Sequence, residues 1–211
     1  MNTTLYYLFD PLCGWCYGAV PALTAVAAAG INVELLPTGL FSGSGSRAMD
    51  DDFASFAWNN DQRINHLSGQ RFTENYHQSV LANRQHRFNS EPPSLALTAV
   101  ALTSPEHGLA TLKAIQHARF VDGRDVTDWP TLGAILRQAG LQDAADALAL
   151  RSQAMLEAHH LRVAQARAMM DELHATGVPT FVGVSRSRRW LLHSNGIYAA
   201  PNALLGQLQA A

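Results

Sequence analysis

The chain has 211 residues, of which 47% are hydrophobic and 15% charged, so intrinsic disorder and a small disulfide-dependent fold are both excluded. Fifteen basic and 17 acidic residues give a formal net charge of −2, which argues against nucleic acid or an anionic membrane as the main partner. No apolar run is long enough to span a membrane, and residues 1–4 lack the basic and apolar pattern of a leader. We therefore expect a soluble, cytoplasmic protein with no membrane partner.

The N-terminal segment is predicted to form a βαβ unit. Residues 4–9 are aromatic, aliphatic or Thr with no charge, which is typical of a buried strand, and the breaker pair Asp10-Pro11 follows them. A helical pattern runs from Trp15 to Gly30, and Pro21 should kink it because its ring clashes with the carbonyl four residues earlier. Residues 31–36 form a second predicted strand, so we expect a parallel strand pair joined by a right-handed crossover.

The middle of the chain, from about residue 47 to 174, is predicted to be helical almost throughout. Helices are predicted at 50–66, 73–82, 93–103, 106–121, 129–139, 143–150 and 152–176. Gly123, Gly140 and Gly177 are expected as left-handed residues that follow helix ends. Strand patterns return at 178–184 and 190–193 around a turn at Ser185-Arg186-Ser187, and a short helix is predicted at 199–208. The order is therefore βαβ, a helical block, then ββα.

Cys13 and Cys16 are the only two cysteines, so a disulfide that joins distant segments is impossible. They form Cys13-Gly14-Trp15-Cys16, directly after the first predicted strand and at the beginning of a helix. The free N–H groups and partial positive charge at a helix N-terminus favour the thiolate of the first cysteine, and the second lies one turn further on. This placement predicts a redox-active pair rather than inert thiols. Zinc would need four ligands, and no second pair accompanies this one, so we expect no metal.

Two other patterns point to chemistry less strongly. Residues 43–48 match a dinucleotide-binding fingerprint, but the segment about 20 residues further on is helical or turn and not acidic, whereas that site needs a strand ending in an acid. Glu74 and His77, like Glu157 and His160, have the spacing of di-iron ligands, although two more inward glutamates on separate helices would be required. We therefore expect neither a nucleotide nor a di-iron centre.

Two stretches of the chain resemble the DsbA-like branch of the thioredoxin superfamily, in particular its cytoplasmic bacterial members described as protein-disulfide isomerases. They are Phe9 to Gly18 (FDPLCGWCYG) and Thr176 to Phe181 (TGVPTF). The resemblance implies an α/β, thioredoxin-like fold with a large all-helical insertion. The thioredoxin-like domain would comprise residues 1–45 plus 175–211, and residues 46–174, with the long linking helix, would form the insertion.

The same resemblance implies roles for individual residues. Pro179 is expected to be the cis-proline beside the active-site disulfide, and Val178 to offer its backbone to an extended substrate. Cys13 would attack a substrate disulfide and Cys16 would resolve the mixed disulfide. Trp15 is a candidate substrate contact. Asp10 is a candidate modulator of the thiolate, with a turn-forming role as the alternative.

The predicted function is thiol-disulfide exchange, with protein disulfides or small thiols and disulfides as partners. No cofactor is expected beyond the Cys13–Cys16 disulfide itself, and glutathione is a candidate thiol partner. Gly14-Trp15 replaces the proline and histidine of the periplasmic oxidase, which argues against a strongly oxidising potential because no imidazolium stabilises the thiolate. Two alternatives remain: a glutathione-dependent transferase or isomerase of the same fold that acts on a small molecule, and a binding module with a vestigial pair.

Overall fold

The computed structural model describes residues 3–186 and 188–210 and has a four-stranded mixed sheet at its centre. Its strands are β1 (Thr3–Phe9), β2 (Asn32–Pro37), β5 (Thr180–Ser185) and β6 (Arg188–Leu192). Two short strands, β3 (Arg47–Ala48) and β4 (Arg87–Phe88), form a separate pair. The sheet has the order β2-β1-β5-β6, in which β1 is parallel to β2 and antiparallel to β5, and β5 is antiparallel to β6. The predicted parallel pair in a βαβ unit is therefore confirmed.

Every predicted helix is present, with shifts of a few residues at the ends. The helices are α1 (Gly14–Gly18), α2 (Val20–Ala28), α3 (Asp51–Ser68), α4 (Glu74–Tyr76), α5 (Glu91–Thr103), α6 (Gly108–Phe120), α7 (Trp129–Gln138), α8 (Gln142–Leu150), α9 (Gln153–Glu172) and α10 (Asn202–Gln209). A π-helical turn, His77–Leu81, continues α4. Side-chain caps mark several of the starts: Asp50, for example, accepts a hydrogen bond from the Phe53 N–H at 2.7 Å.

Both faces of the sheet are covered by helices. Leu5 and Tyr7 of β1 face the main core, whereas Leu8 faces a second, smaller cluster that includes Ala166 and Met169 of α9. Successive side chains of a strand point to opposite faces, so a strand that is buried on both faces has a nearly continuous apolar sequence. This explains the apolar character of β1.

The predicted kink at Pro21 is observed as a break between α1 and α2 at Ala19. Pro21 lies in the first turn of α2 and has no N–H to donate, and the carbonyl of Tyr17 accepts a hydrogen bond from Gln70 Nε2 at 3.1 Å. A Cβ on Gly18 would lie 2.6 Å from the Ile64 side chain, so the glycine allows α1 to approach α3 closely. The break thus separates a short helix, which is capped by Cys13 and contains Cys16, from the longer helix that follows it.

Two details of the predicted fold are wrong. The insertion is not all-helical, because β3 and β4 pair antiparallel within it. Gly123 and Gly140 do have the predicted positive φ, but Gly177 is not among the left-handed glycines. The long helix ends earlier, at Glu172, and His174 takes the left-handed conformation with φ 54°, while the Ala175 N–H closes the turn on the Met170 carbonyl at 2.8 Å. The predicted turn at 185–187 includes Ser187, which lies outside the described residues.

The insertion and the sheet share one continuous core. Apolar residues of β1, α2, α5 and α7 belong to the same buried cluster, and the second half of α9 lies on the opposite face of the sheet. The division of the chain at 46–174 stays a prediction. Within residues 3–186 and 188–210, no helix is both long and apolar enough to cross a lipid bilayer.

Candidate active site

The two cysteines lie at the end of the sheet where β1 passes into α1, and they differ sharply in accessibility. Cys13 is the N-cap of α1, with an extended backbone (φ −77°, ψ 120°) and a half-buried side chain. Its N–H donates to the Asp10 carbonyl at 3.1 Å, and its carbonyl accepts from the Tyr17 N–H at 3.1 Å. Cys16 is 0% exposed, and the Tyr7 hydroxyl donates to its carbonyl at 2.9 Å. Both are free thiols, and Cys13 is the one that solvent reaches.

Burial also sets the proton affinity of the second cysteine. The pKa of Cys16 is raised well above its ordinary value, first by desolvation and then by a hydrogen bond to Cys13 and the charge on Cys13. Tyr7, directly behind the pair, has its pKa raised by burial and by negative charge on Cys16 and Cys13. Cys16 is therefore held as a neutral thiol while Cys13 faces the solvent.

This difference predicts selective alkylation of Cys13. When the reduced protein is treated with a limiting amount of iodoacetamide at pH 7, we expect Cys13 to be labelled at least about tenfold faster than Cys16, because the reacting species is an accessible thiolate. Mass mapping of the two sites measures the ratio, and the same reaction in urea, where both sites are exposed, is the control. Equal labelling in the folded protein would contradict the assignment of the two positions.

Asp10 is fully buried and ties the cysteine loop to two distant segments. Its Oδ1 accepts from the Leu12 N–H at 2.9 Å, and its Oδ2 accepts from the Phe41 N–H at 3.1 Å and from the Ser90 hydroxyl at 2.5 Å. Burial raises the pKa of this carboxyl, although the three hydrogen bonds and the positive charge of Arg119 lower it. The contacts are those of a structural crosslink, and the predicted modulation of the Cys13 thiolate stays a prediction.

Trp15, between the cysteines, is half-buried and packs at the rim of the site. Its ring meets Tyr198 edge to face at 5.1 Å between centroids, and the Arg63 guanidinium lies 5.7 Å from the centre of the indole. The indole thus joins α1 to the segment before α10 and to α3. Trp15 lies two positions after Cys13, and its role as a substrate contact stays a prediction.

The second motif lies at the same end of the sheet. The Val178–Pro179 peptide bond is cis. Leu8 pairs with Thr180 across β1 and β5, and the antiparallel register therefore places Pro179 level with Phe9, four residues before Cys13. Val178 lines a groove of about 350 Å³. Other residues of its wall are Thr38, Gly39, Leu40, Arg167 and Met170.

Asp61, which the sequence analysis missed, lies against the cysteine motif. Its side chain is 5% exposed, its Oδ2 accepts from the Tyr76 hydroxyl at 2.9 Å, and its Oδ1 points at Gly14, where a Cβ would be only 2.0 Å away. Burial raises the pKa of this carboxyl to about 7. A signal was available: Asp61 lies on the same stripe of α3 as the buried residues Ala54 and Ile64, and an acidic residue on an apolar stripe is unusual.

Arg119 is the second buried charged residue that the sequence analysis missed. Its side chain is 2% exposed, and its guanidinium lies 5.3 to 5.6 Å from the ring centres of Tyr76, Phe88 and Phe120. Its positive charge lowers the pKa of both Asp10 and Asp61, which offsets part of the effect of their burial. The guanidinium therefore partly compensates the two buried carboxyls that flank the cysteine motif.

The weaker sequence motifs do not assemble into sites. In the described part of the chain, no group of three or more His, Cys, Asp and Glu side chains is placed to hold a metal ion. Glu74 and His77 form an exposed pair at 3.3 Å on the surface. Gly43–Gly45 is a 3-10 turn that leads into β3 rather than into a helix, so the geometry of a dinucleotide-binding loop is not formed.

The sheet order, the helical insertion and a Cys-x-x-Cys pair at the start of α1 define a thioredoxin-fold dithiol protein. The profile of the DSBA-like thioredoxin domain family matches residues 4–191, and the chain belongs to that family. It is a thiol-disulfide oxidoreductase of the DsbA-like class. The family and fold inferred from the two motifs are thus confirmed.

Several solved structures are similar to this chain along nearly its whole length. It is 32% identical to the cytosolic disulfide reductase DsbM from Pseudomonas aeruginosa, with 99% of this chain and 100% of that chain covered and a TM-score of 0.85. A structure of the same reductase with GSH is 31% identical, covers 98% of each chain and has a TM-score of 0.85. A 2-hydroxychromene-2-carboxylate isomerase shares the fold at 16% identity, 98% and 96% coverage and a TM-score of 0.58. A comparison with curated protein sequences gives no match.

Proposed function

We propose that the protein reduces disulfides by thiol-disulfide exchange through Cys13 and Cys16, with protein disulfides as its main substrates. The observation that carries the proposal is the pairing of one accessible cysteine with a second, fully buried one a single helical turn behind it. An accessible thiolate can attack a disulfide on another molecule, whereas a buried thiol can reach only its neighbour. The similarity to a cytosolic disulfide reductase supports reduction, rather than formation, of substrate disulfides.

The chemistry proceeds in two exchanges. The Cys13 thiolate attacks one sulfur of the substrate disulfide, a Cys13–substrate disulfide forms, and the other substrate sulfur leaves as a thiolate that takes up a proton. Cys16 then loses its proton and attacks Cys13 Sγ, so that the Cys13–Cys16 disulfide forms and the second substrate sulfur leaves as a thiolate that also takes up a proton. The substrate gains two electrons and two protons, and the protein dithiol is oxidised. A small thiol must reduce it again, and we assign this role to glutathione because a related structure contains GSH.

An extended polypeptide would be held beside Cys13 by the groove at Val178. Arg167 fixes the far wall of this groove, since its Nε donates to the Thr38 carbonyl at 2.9 Å and its Nη2 to the Gly39 carbonyl at 3.2 Å. Leu40, which also lines the groove, is 46% exposed and offers an apolar contact. Trp15 would contact the same chain on the other side of Cys13. The cytosolic location of the related reductase supports the same location for this protein.

The test is capture of substrates by Cys16→Ser. Without the resolving thiol, we expect the variant to accumulate mixed disulfides between Cys13 and cellular proteins, which migrate as reductant-sensitive adducts and are identified by mass spectrometry. Cys13→Ser is the matched control and should form none. A glutathione-dependent transferase or isomerase would behave differently: Cys16→Ser would keep full turnover of the small substrate and trap no protein, and that outcome would overturn the proposal.

A further inference from the structure

The carboxyl of Asp61 reaches from the helical insertion onto the cysteine motif. A Cβ built on Gly14 would lie 2.0 Å from Asp61 Oδ1 and 3.1 Å from Ile64 Cδ1. An Asp61 carboxyl in this position therefore requires glycine at position 14, because even alanine would overlap with it. The carboxyl thus occupies the space directly beside the residue that follows Cys13, although 47 positions of sequence separate Asp61 from Gly14.

The titratable and charged groups near Asp61 come from three other elements of the fold, namely α1, α4 and α6. The Tyr76 hydroxyl donates to it at 2.9 Å, the Arg119 guanidinium of α6 lowers its pKa, and Cys13 lies at the start of α1, the helix against which it packs. Two other charged or titratable side chains of this region interact elsewhere: Arg63 lies over Trp15, and the His77 ring stacks on Trp58. Asp61 is therefore held in place by the Tyr76 hydroxyl and by the packing of α3 on α1, and not by Arg63 or His77.

Building on the proposed function, we propose that Asp61 is a positioning residue that keeps the Cys13–Cys16 pair reducing, because its buried negative charge opposes a thiolate on Cys13. A dithiol is a strong oxidant when its reduced form is stabilised, chiefly through the thiolate. A carboxylate beside that thiolate has the opposite effect and favours the disulfide, so that the dithiol gives up its electrons more readily. The insertion thereby contributes to redox chemistry as well as to the shape of the site.

The effect of Asp61 on the redox equilibrium is expected to increase as the pH rises. The pKa of Asp61 is raised to about 7, with burial as the main cause and the Tyr76 hydrogen bond and Arg119 acting against it. Below this value the carboxyl gains a proton and its opposition to the thiolate disappears. Above it the carboxylate is present and the pair becomes more reducing. Asp61→Asn reproduces the neutral form at every pH.

The experiment measures the equilibrium between the protein dithiol and glutathione disulfide, using reduced and oxidised glutathione at pH 5.5 and pH 8, acid quenching and mass analysis after alkylation. At pH 8 we expect Asp61→Asn to be about tenfold more oxidising than the unmodified protein, equivalent to about 30 mV for a two-electron couple. At pH 5.5 the two proteins should agree within about twofold. Asp52→Asn, an exposed carboxyl on the same helix, is the matched control and should change neither value.

A second variant tests the pH dependence without removing the Asp61 carboxyl. Tyr76→Phe keeps the Asp61 carboxyl but removes its hydrogen-bond donor, so the pH at which the carboxyl begins to influence the equilibrium should move upward. An Asp61→Asn shift of the same size at both pH values, or no shift at pH 8 in a folded protein, would overturn the role of Asp61 alone. Failure of the unmodified protein to form the Cys13–Cys16 disulfide with glutathione disulfide would instead overturn the proposed function.

Discussion

Cys13→Ser is expected to lower the rate of disulfide reduction by at least about 10³-fold, the largest effect of any single substitution in this chain. A serine hydroxyl cannot form the mixed disulfide, and Cys16 cannot take over because it is fully buried and its pKa is raised. The number of thiolates released from a disulfide reagent distinguishes the roles of the two cysteines. With an excess of 5,5′-dithiobis(2-nitrobenzoate), the reduced protein should rapidly release two coloured thiolates per chain, one for each exchange step.

The two variants should differ in this assay in a defined way. Cys16→Ser should release a single equivalent and stop as a mixed disulfide at Cys13, whereas Cys13→Ser should show no rapid release. Unfolding in urea restores access to Cys16 and checks that the Cys13→Ser protein still contains its remaining thiol. Rapid release of one equivalent by folded Cys13→Ser would show that Cys16 is the attacking thiol, contrary to the burial of the two side chains.

Asp10→Ala is expected to lower the free energy of unfolding by about 2 to 3 kcal/mol, because truncation leaves two N–H groups and a hydroxyl without their acceptor. The donors affected are the Leu12 and Phe41 N–H groups and the Ser90 hydroxyl. Urea unfolding of the reduced protein at pH 7 measures the change. Asp146→Ala, which removes an exposed carboxyl on α8, is the matched control and should stay within about 0.5 kcal/mol of the unmodified protein.

The cost of Asp10→Ala should also depend on pH. Burial raises the folded-state pKa of Asp10 above its unfolded value of about 3.9, so its stabilising contribution is complete below that value and declines as pH rises through the folded pKa. The substitution should therefore be more costly at pH 4 than at pH 8. A change below about 0.5 kcal/mol at both pH values would show that the cysteine loop is held by other contacts.

Much of the architecture could be predicted because its signals are local. The apolar pattern of β1, the break caused by Pro21 and the start of a helix near Asp50 depend on residues a few positions apart, and backbone sterics and hydrogen bonding act at that range. The position of Cys13 between a strand and a helix was predicted for the same reason. The end of the long helix was not predicted correctly: it ends at Glu172, and the left-handed residue that follows it is His174 rather than Gly177.

The surroundings of the cysteines could not be predicted from the sequence, because distant segments form them. Asp10 meets Phe41 and Ser90, which are 31 and 80 positions away, and nothing in a short window of sequence distinguishes such a crosslink from an ordinary turn. The sequence placed Cys13 and Cys16 one turn apart, but only packing decided that one is accessible and the other fully buried. Gly14 and Asp61 lie side by side only because α1 packs on α3, and this packing depends on the complete core. Local composition determines which elements form, whereas burial and charge at the site arise only when distant elements close around it.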